Sequence, residues 1–296
     1  MGISNGLSQL LVRTAAIDVC NKKHGQCRVL TLGRLTMSIK TEQQKEDLIH
    51  LNSNIRHSSL KLNSYCENFL KDIGATSVES LDFSDFEGAD HTYNLNDSFA
   101  NADNTKHLKE AFDLVLDFGT SEHVFQPGLS IANSLFMLKP GGRLILNLPI
   151  TGFLEHGFYQ FCPNIFHQIK SENLTLERLY ILEPYKTPLQ IWDGLKVVNN
   201  PLYESLNGKF SSFAMYQKKS EIVEKIFLAT TQQAVYASSW ESHSDGEKKV
   251  KTDNNENNIL RKCKVFIYRL LMNYRFYKIH TMLKQRISID EIKKIN

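Results

Sequence analysis

The chain lacks the features of a disulfide-stabilised or membrane-spanning protein. Its five cysteines are an odd number, and none of them forms a CxxC pair. This pattern argues against a disulfide framework and against a structural zinc site. No apolar run is long enough to cross a bilayer, and the first residues show no signal-peptide pattern. We therefore expect a reducing, cytoplasmic setting in which the cysteines fill the core.

A strong charge of one sign is also absent. The formal net charge is +3, which is too small to indicate nucleic-acid binding by itself. The hydrophobic content of 42% and the charged content of 23% are typical of a soluble globular protein. A length of 296 residues fits one large domain with additions, or two smaller domains.

Short apolar runs alternate with helical patterns along most of the chain. The runs predict seven strands: Arg28–Gly33, Ser77–Phe83, residues 89–96, Phe112–Phe118, Arg143–Pro149, residues 176–182 and Phe210–Gln217. Helical spacing is clearest near the N-terminus, at residues 62–73 and from Ser121 to Leu138. This alternation predicts an α/β fold, with a mostly parallel sheet and helices on both of its faces.

Polar side chains follow the fourth predicted strand, in "FDLVLDFGTSEHVFQPG". Thr120 or Ser121 could cap the following helix, and the helix dipole favours an acid such as Glu122 in the first turn. That explanation does not extend to His123, which is either a site residue or a packed side chain. Ligands of open parallel sheets bind at the carboxyl ends of the strands, where these residues are expected.

The order of these segments resembles that of the class I S-adenosylmethionine-dependent methyltransferases. The similarity runs from about Arg28 to Gln217, and its most specific part is "FDLV…EHV…LKPGGRLIL". The resemblance implies a Rossmann-like, mostly parallel seven-stranded sheet whose last two strands form an antiparallel hairpin. It also implies that S-adenosyl-L-methionine is the cofactor and lies across the strand ends.

The resemblance assigns cofactor contacts to residues that follow the strands. Asp82, after the second strand, would accept hydrogen bonds from the ribose hydroxyls, although it could instead be a turn former. Asn94 and Leu95 would contact adenine. Asp117 and Phe118 would lie near the methionine end of the cofactor.

The first strand departs from the family pattern, which has an acid followed by Gly-x-Gly-x-Gly. Here only Gly33 remains, and Arg34 and Leu35 follow it. A glycine lets the backbone approach a ligand, so these side chains would crowd the cofactor, although Arg34 could pair with its carboxylate. The alternative to an enzyme is therefore a catalytically inactive domain that acts as a binding or scaffolding module.

A second stretch, "TGFLEHGFYQFCP" (Thr151–Pro163), follows the fifth strand, where the family places its acceptor pocket. It resembles a stretch in uncharacterised methyltransferase-like proteins encoded with surface-polysaccharide genes. This implies O-methylation of a saccharide or another small molecule. His123 and His156 are the candidate general bases, since imidazole titrates near neutral pH. We expect both to line one cavity with Tyr159 at its rim, whereas the phenylalanines of the stretch could form a lid or core.

Three segments are predicted along the chain. Residues 1–241 form the methyltransferase-like domain with an N-terminal helix, and the polar residues 242–258 form a flexible linker. Residues 259–296 form a basic amphipathic helical tail. This helix could dock on its own domain, lie on a membrane surface or bind a partner protein. No RNA-recognition motif accompanies it, so nucleic acid is not an expected partner.

Overall fold

A computed structural model describes residues 2–169, 171–185, 190–196, 208–221, 286–287 and 292. The predicted linker at 242–258 lies outside these residues. So does the predicted helical tail, apart from residues 286, 287 and 292.

The described residues form twelve strands and six α-helices, with short 3₁₀ turns between them. The strands are β1 (Gly2–Ser4), β2 (Arg28–Leu32), β3 (Thr36–Ser38), β4 (Ser77–Asp82), β5 (His91–Thr92), β6 (Phe112–Asp117), β7 (Leu138–Leu146), β8 (Pro149–Thr151), β9 (Leu174–Glu183), β10 (Gln190–Asp193), β11 (Phe210–Lys218) and β12 (Arg286–Ile287). The α-helices are α1 (Asn5–Thr14), α2 (Ala16–His24), α3 (Glu42–Leu51), α4 (Glu67–Asp72), α5 (Pro127–Met137) and α6 (Asn164–Gln168). The 3₁₀ turns are His57–Leu60, Phe99–Asn101, Asp103–Leu108, Ser121–His123 and Gly194–Lys196.

The main sheet has the order β5-β4-β2-β6-β7-β11-β9-β10-β12. The strands from β5 to β7 are parallel, and their order is that of a doubly wound α/β sheet. Strand β11 lies antiparallel between β7 and β9, which confirms the predicted hairpin. The described strands therefore form a Rossmann-like, mostly parallel sheet.

All seven predicted strands are present, but the count of seven is too low. Among the described residues the sheet has ten strands, because β8 pairs with β11 and because β10 and β12 extend the edge beyond β9. Strand β12 lies inside the predicted helical tail, so a helix over all of 259–296 is wrong at Arg286–Ile287. The edge of β10 offers unpaired backbone groups, and these two residues pair with them in antiparallel register.

Helices cover both faces of the sheet, as predicted. Leu7 and Leu10 of α1 pack on the side of Val29, whereas Ile131 of α5 packs on the side of Leu30. The N-terminal helix is confirmed, and the Ser4 hydroxyl caps it by accepting a hydrogen bond from the Leu7 N–H.

The helix predicted from Ser121 begins later in the structure. Ser121–His123 form a 3₁₀ turn, and α5 starts at Pro127. Proline disfavours helical backbone in the residue before it and suits the first helical position, so the chain breaks there. Across the described ranges, no helix combines the length and apolar character needed to cross a bilayer.

The segment after β2 forms a strand where the family has its glycine-rich loop. Gly33 has φ +73°, and its N–H donates to the Leu81 carbonyl at 2.7 Å. The chain then enters β3, which pairs in parallel with β1 in a separate two-stranded sheet. Leu35 and Met37 are fully buried in this arrangement. Buried apolar side chains thus take the positions that the family gives to glycines.

Candidate functional site

A cavity of about 340 Å³ opens beyond the carboxyl ends of β6 and β7. The strand ends contribute Phe118 and Asn147, and the β1 and β3 segments contribute Ser4 and Thr36. Its volume lies within the range of small-molecule sites. The wall also includes two side chains with proton-transfer chemistry, which are Glu122 and His156.

Asp117 organises the turn that carries Glu122 and His123. Its Oδ1 accepts hydrogen bonds from the N–H groups of Thr120 at 2.9 Å and Ser121 at 3.3 Å. The Ser121 hydroxyl donates to Oδ2, and burial holds the pKa of Asp117 above its usual value. Neither Thr120 nor Ser121 acts as the predicted cap. The Asp117 carboxylate accepts the backbone N–H groups of this turn, whereas the Thr120 hydroxyl donates to the Leu32 carbonyl.

Glu122 is a buried acid whose carboxyl group is incompletely hydrogen bonded. Its side chain is 2% exposed, and Oε2 has no hydrogen-bond partner among the described residues. Burial, with the nearby Asp117 carboxylate, raises the pKa of Glu122 to about 8. Glu122 is therefore mostly protonated at neutral pH.

The loop after β8 folds directly over Glu122. The Phe158 N–H donates to the Glu122 carbonyl at 2.7 Å. A Cβ added to Gly157, which has φ +78°, would lie 2.8 Å from the Glu122 Cγ. The Tyr159 hydroxyl donates to the Phe125 carbonyl at 2.8 Å and ties the loop down further on. These contacts fix the position of His156 relative to the turn.

The two predicted histidines are neighbours. Their ring centroids lie 5.0 Å apart with planes inclined by 77°, and His156 Nε2 lies 3.8 Å from Glu122 Oε1. Partial burial, followed by the proximity of His156, lowers the pKa of His123. His156 lies on the cavity wall, but His123 and Tyr159 are not among the residues that line the cavity, so the expectation that both histidines line it with Tyr159 at its rim holds for His156 alone. His123 contacts His156 from the turn, and Tyr159 holds the loop by its bond to Phe125.

Arg34 is held within the protein rather than extended freely toward the strand ends. Its Nε donates to Glu67 Oε1 at 2.9 Å, and its Nη1 donates to the Glu87 carbonyl at 2.5 Å. The guanidinium also stacks 3.7 Å above the centre of the Tyr65 ring. The Glu67 carboxylate raises the pKa of Arg34. We call this set of contacts, made by Arg34 with Glu67, Glu87 and Tyr65, the Arg34 clasp.

The remaining predicted cofactor residues lie at the ends of β4 and β5. Asp82 is half-buried, and its Oδ1 accepts a hydrogen bond from the N–H of Phe83 at 2.6 Å. This bond is also what a turn-forming role would produce. The Asn94 side chain accepts a hydrogen bond from the Asn96 N–H at 3.0 Å. Leu95 is buried. Cofactor contacts for these residues stay predictions.

Glu122 and Asn147 are wall residues that the sequence reasoning did not select. Glu122 was explained by the helix dipole, although an acid beside His123 at a strand end was a usable indication. Asn147 stood within a predicted strand. In the structure its N–H donates to the Asp117 carbonyl at 2.8 Å, and its Nδ2 donates to the Ser211 hydroxyl at 3.0 Å.

No protein-family model and no curated protein matches the sequence. Similar solved structures include the trans-methyltransferase CalH in complex with SAH, at 10% identity over 68% of this chain, with a TM-score of 0.38. The citrinin polyketide synthase CMeT domain is 12% identical over 66% of this chain, with a TM-score of 0.34. The chain spans about half the length of both, 54% of CalH and 47% of the CMeT domain.

Another similar structure is the 1,6-didemethyltoxoflavin-N1-methyltransferase of Burkholderia thailandensis, bound to 1,6-didemethyltoxoflavin and S-adenosylhomocysteine. It is 13% identical, with coverage of 71% of this chain and 78% of that one and a TM-score of 0.34. These identities and TM-scores are too low to transfer any property of those proteins to this chain.

Proposed function

We propose that the chain is an S-adenosylmethionine-dependent methyltransferase that O-methylates a small molecule or saccharide. The observation that carries this proposal is the cavity beyond β6 and β7, whose wall holds Glu122 and His156. Ligands of doubly wound sheets bind at that edge. A buried, incompletely bonded acid next to an imidazole suits a group that must take a proton from a hydroxyl.

The cofactor would lie beside this cavity, across the ends of β2, β4 and β6. Asp82 would hold the ribose, Asn94 and Leu95 would border adenine, and Phe118 would pack near the methionine end. These residue types fit a nucleoside with an apolar face and two hydroxyls. The fit is poorer at the amino-acid end, because Gly33 is followed by Arg34 in its clasp. When bound, the cofactor supplies an activated methyl carbon.

The chain's own residues would align the acceptor and remove its proton. An acceptor hydroxyl in the cavity would transfer its proton to His156 Nε2. Glu122 Oε1 lies 3.8 Å from that nitrogen. Glu122 is mostly protonated before the transfer, and the positive charge that forms on His156 would favour its ionised form, which in turn would stabilise the imidazolium. The ring of His123 would hold His156 in place through their edge-to-face contact. Positioning of this kind provides much of the rate enhancement in displacement reactions.

The test combines binding and turnover. Calorimetric titration should detect S-adenosylmethionine binding to the full chain, and methyl-labelled cofactor should transfer label to a hydroxyl compound among sugars and small alcohols. His156→Ala should lower that rate by about 10²–10⁴-fold with little change in cofactor affinity. The matched control is His50→Ala, an exposed histidine on α3. A wild-type protein that binds no cofactor would contradict the proposal.

A second candidate is a catalytically inactive binding or scaffolding module. The Arg34 clasp and the complete burial of Leu35 favour it, since both occur where the family keeps glycines. Under this alternative, S-adenosylmethionine does not bind to the wild type or to Arg34→Ala. Binding by either protein would argue for the enzyme.

A further inference from the structure

We propose that Glu122, His123 and His156 form a binding site for a divalent first-row transition metal. One ligand atom from each of the three side chains lies within 4.8 Å of the others. The proposal goes beyond methyl transfer and does not depend on it, because these three residues could hold an ion whether or not the cofactor binds.

The ligand set suits this class of metal. Two imidazole nitrogens and one carboxylate are used by zinc and non-haem iron sites, whereas Mg²⁺ and Ca²⁺ prefer oxygen ligands throughout. Ligand atoms around one tetrahedral zinc ion lie about 3.4 Å apart, given bonds of roughly 2.0–2.2 Å. The spacing of up to 4.8 Å therefore has to contract by at most about 1.4 Å on binding. His156 is 53% exposed, so its ring is free to make that adjustment.

An independent observation points to a missing ligand at Glu122. The side chain is buried, and Oε2 has no hydrogen-bond partner among the described residues. Such groups are rare in folded proteins, because an unsatisfied buried polar atom is costly. The other oxygen, Oε1, lies 3.8 Å from His156 Nε2, so the carboxyl group is directed at the imidazole. A bound cation would complete the coordination of this group.

The surroundings hold two parts of the site together. Glu122 and His123 occupy a turn that Asp117 caps, and His156 lies in the loop that bonds to the Glu122 carbonyl. Gly157 allows that loop to pass against Glu122, because any side chain there would overlap its Cγ. The fold thus brings the three side chains near one another, so a metal would bind the folded chain in preference to the unfolded one.

Three protein ligands leave at least one coordination position open toward the cavity. Zinc sites with three protein ligands bind water or substrate there, and the metal lowers the pKa of the bound hydroxyl. If the proposed function holds, the metal would take over activation of the acceptor from the His156 base. This consequence rests on the proposed function, whereas the site itself does not.

The experiment uses the full chain, stripped with chelator and dialysed. ZnCl₂ is titrated by calorimetry, and CoCl₂ is followed by its visible absorption. We expect one equivalent of Zn²⁺ and Co²⁺ bands typical of low coordination, with no comparable Mg²⁺ binding. Glu122→Gln and His156→Ala should each weaken Zn²⁺ binding beyond the roughly 10–100-fold that losing an outer partner costs. His50→Ala should bind as the wild type does.

Other outcomes would overturn the site. They are a wild type that binds no Zn²⁺, cluster variants that bind as tightly as the wild type, and a His50→Ala variant that loses binding equally. Circular dichroism and melting curves check folding, and the exposed His156 provides a variant that should fold if Glu122→Gln does not. A wild type that binds Zn²⁺ but no S-adenosylmethionine would support the metal site and contradict the methyltransferase proposal. A wild type that binds S-adenosylmethionine but no Zn²⁺ would support the methyltransferase proposal and contradict the metal site.

Discussion

Replacing Glu122 with glutamine should stabilise the metal-free protein at alkaline pH and change it little near pH 5. Burial raises the pKa of Glu122 from 4.5 to about 8 in the folded protein. Between these values the folded chain retains a proton that the unfolded chain has released. Stability therefore falls as pH rises through this window, and the loss is complete above about pH 8.

The size of the effect follows from the shift. A change from 4.5 to about 8 corresponds to roughly 5 kcal/mol, at about 1.4 kcal/mol per pKa unit. Glu122 is 2% exposed, so solvent screening does not reduce this value greatly. Glutamine has nearly the same shape and does not titrate. Between pH 5 and pH 9, the stability of the variant should therefore decline much less than that of the wild type.

The assay is urea unfolding of the wild type and Glu122→Gln at pH 5, 7 and 9. Chelator is present throughout, because a bound metal would favour the ionised acid and mask the effect. The exposed Glu87 supplies a control, and Glu87→Gln should follow the wild type at every pH. If the wild type and Glu122→Gln lose stability with the same slope, the buried acid is not the group that titrates.

Four further changes test other parts of the structure. Gly157→Ala should lower the free energy of unfolding by about 1–2 kcal/mol, because φ is +78° and the new Cβ would overlap Glu122. It should also weaken Zn²⁺ binding. Urea unfolding measures the first effect and calorimetry the second. Asp82→Ala should weaken S-adenosylmethionine binding roughly 10–150-fold, from the loss of about 1.5–3 kcal/mol of charge-assisted bonding, and an unchanged Kd would remove Asp82 from the site. Deleting residues 286–296 should lower the Tm, because it uncovers the edge of β10 and removes the buried Ile292; an unchanged Tm would contradict that docking. Arg34→Ala should tighten S-adenosylmethionine binding by no more than about 30-fold, and an unchanged Kd would show that the clasp does not obstruct the cofactor.

The centre of the sheet was predictable because its strands carry long apolar runs. Each run also ends in a residue that breaks the pattern, such as Gly33, Asp117 or Pro149. The outer strands were not predictable in the same way. Strands β8, β10 and β12 have two to four residues each, which is too short for any periodicity. Their pairing is determined by free sheet edges, a tertiary feature that no local window contains.

The site was predictable in its placement and less so in its chemistry. His123 and His156 follow neighbouring parallel strands, so their meeting follows from topology. The role of Glu122 depends on burial under the loop at Gly157, and neither residue type nor spacing indicates that contact. Similarly, the sequence after Gly33 differs visibly from the family pattern. The pairing of β3 with β1 could not be predicted from it, because that pairing is a long-range contact.

The cavity beside Glu122 favours an enzyme, whereas the Arg34 clasp favours an inactive module. The cavity beside Glu122 is open, whereas the Arg34 clasp follows Gly33, where the proposal places the amino-acid end of the cofactor. Arg34 and Glu67 have side chains 27% and 25% exposed, so their ion pair contributes about 1 kcal/mol or less, and stacking on Tyr65 adds roughly 0.5–1 kcal/mol. Releasing the clasp thus costs about 2 kcal/mol, against about 8 kcal/mol for a micromolar ligand. If the cofactor binds as proposed, the clasp alone would weaken that binding without abolishing it. A wild type with no detectable binding would implicate the backbone path from Leu35 to Met37 instead, and Arg34→Ala would then fail to restore binding.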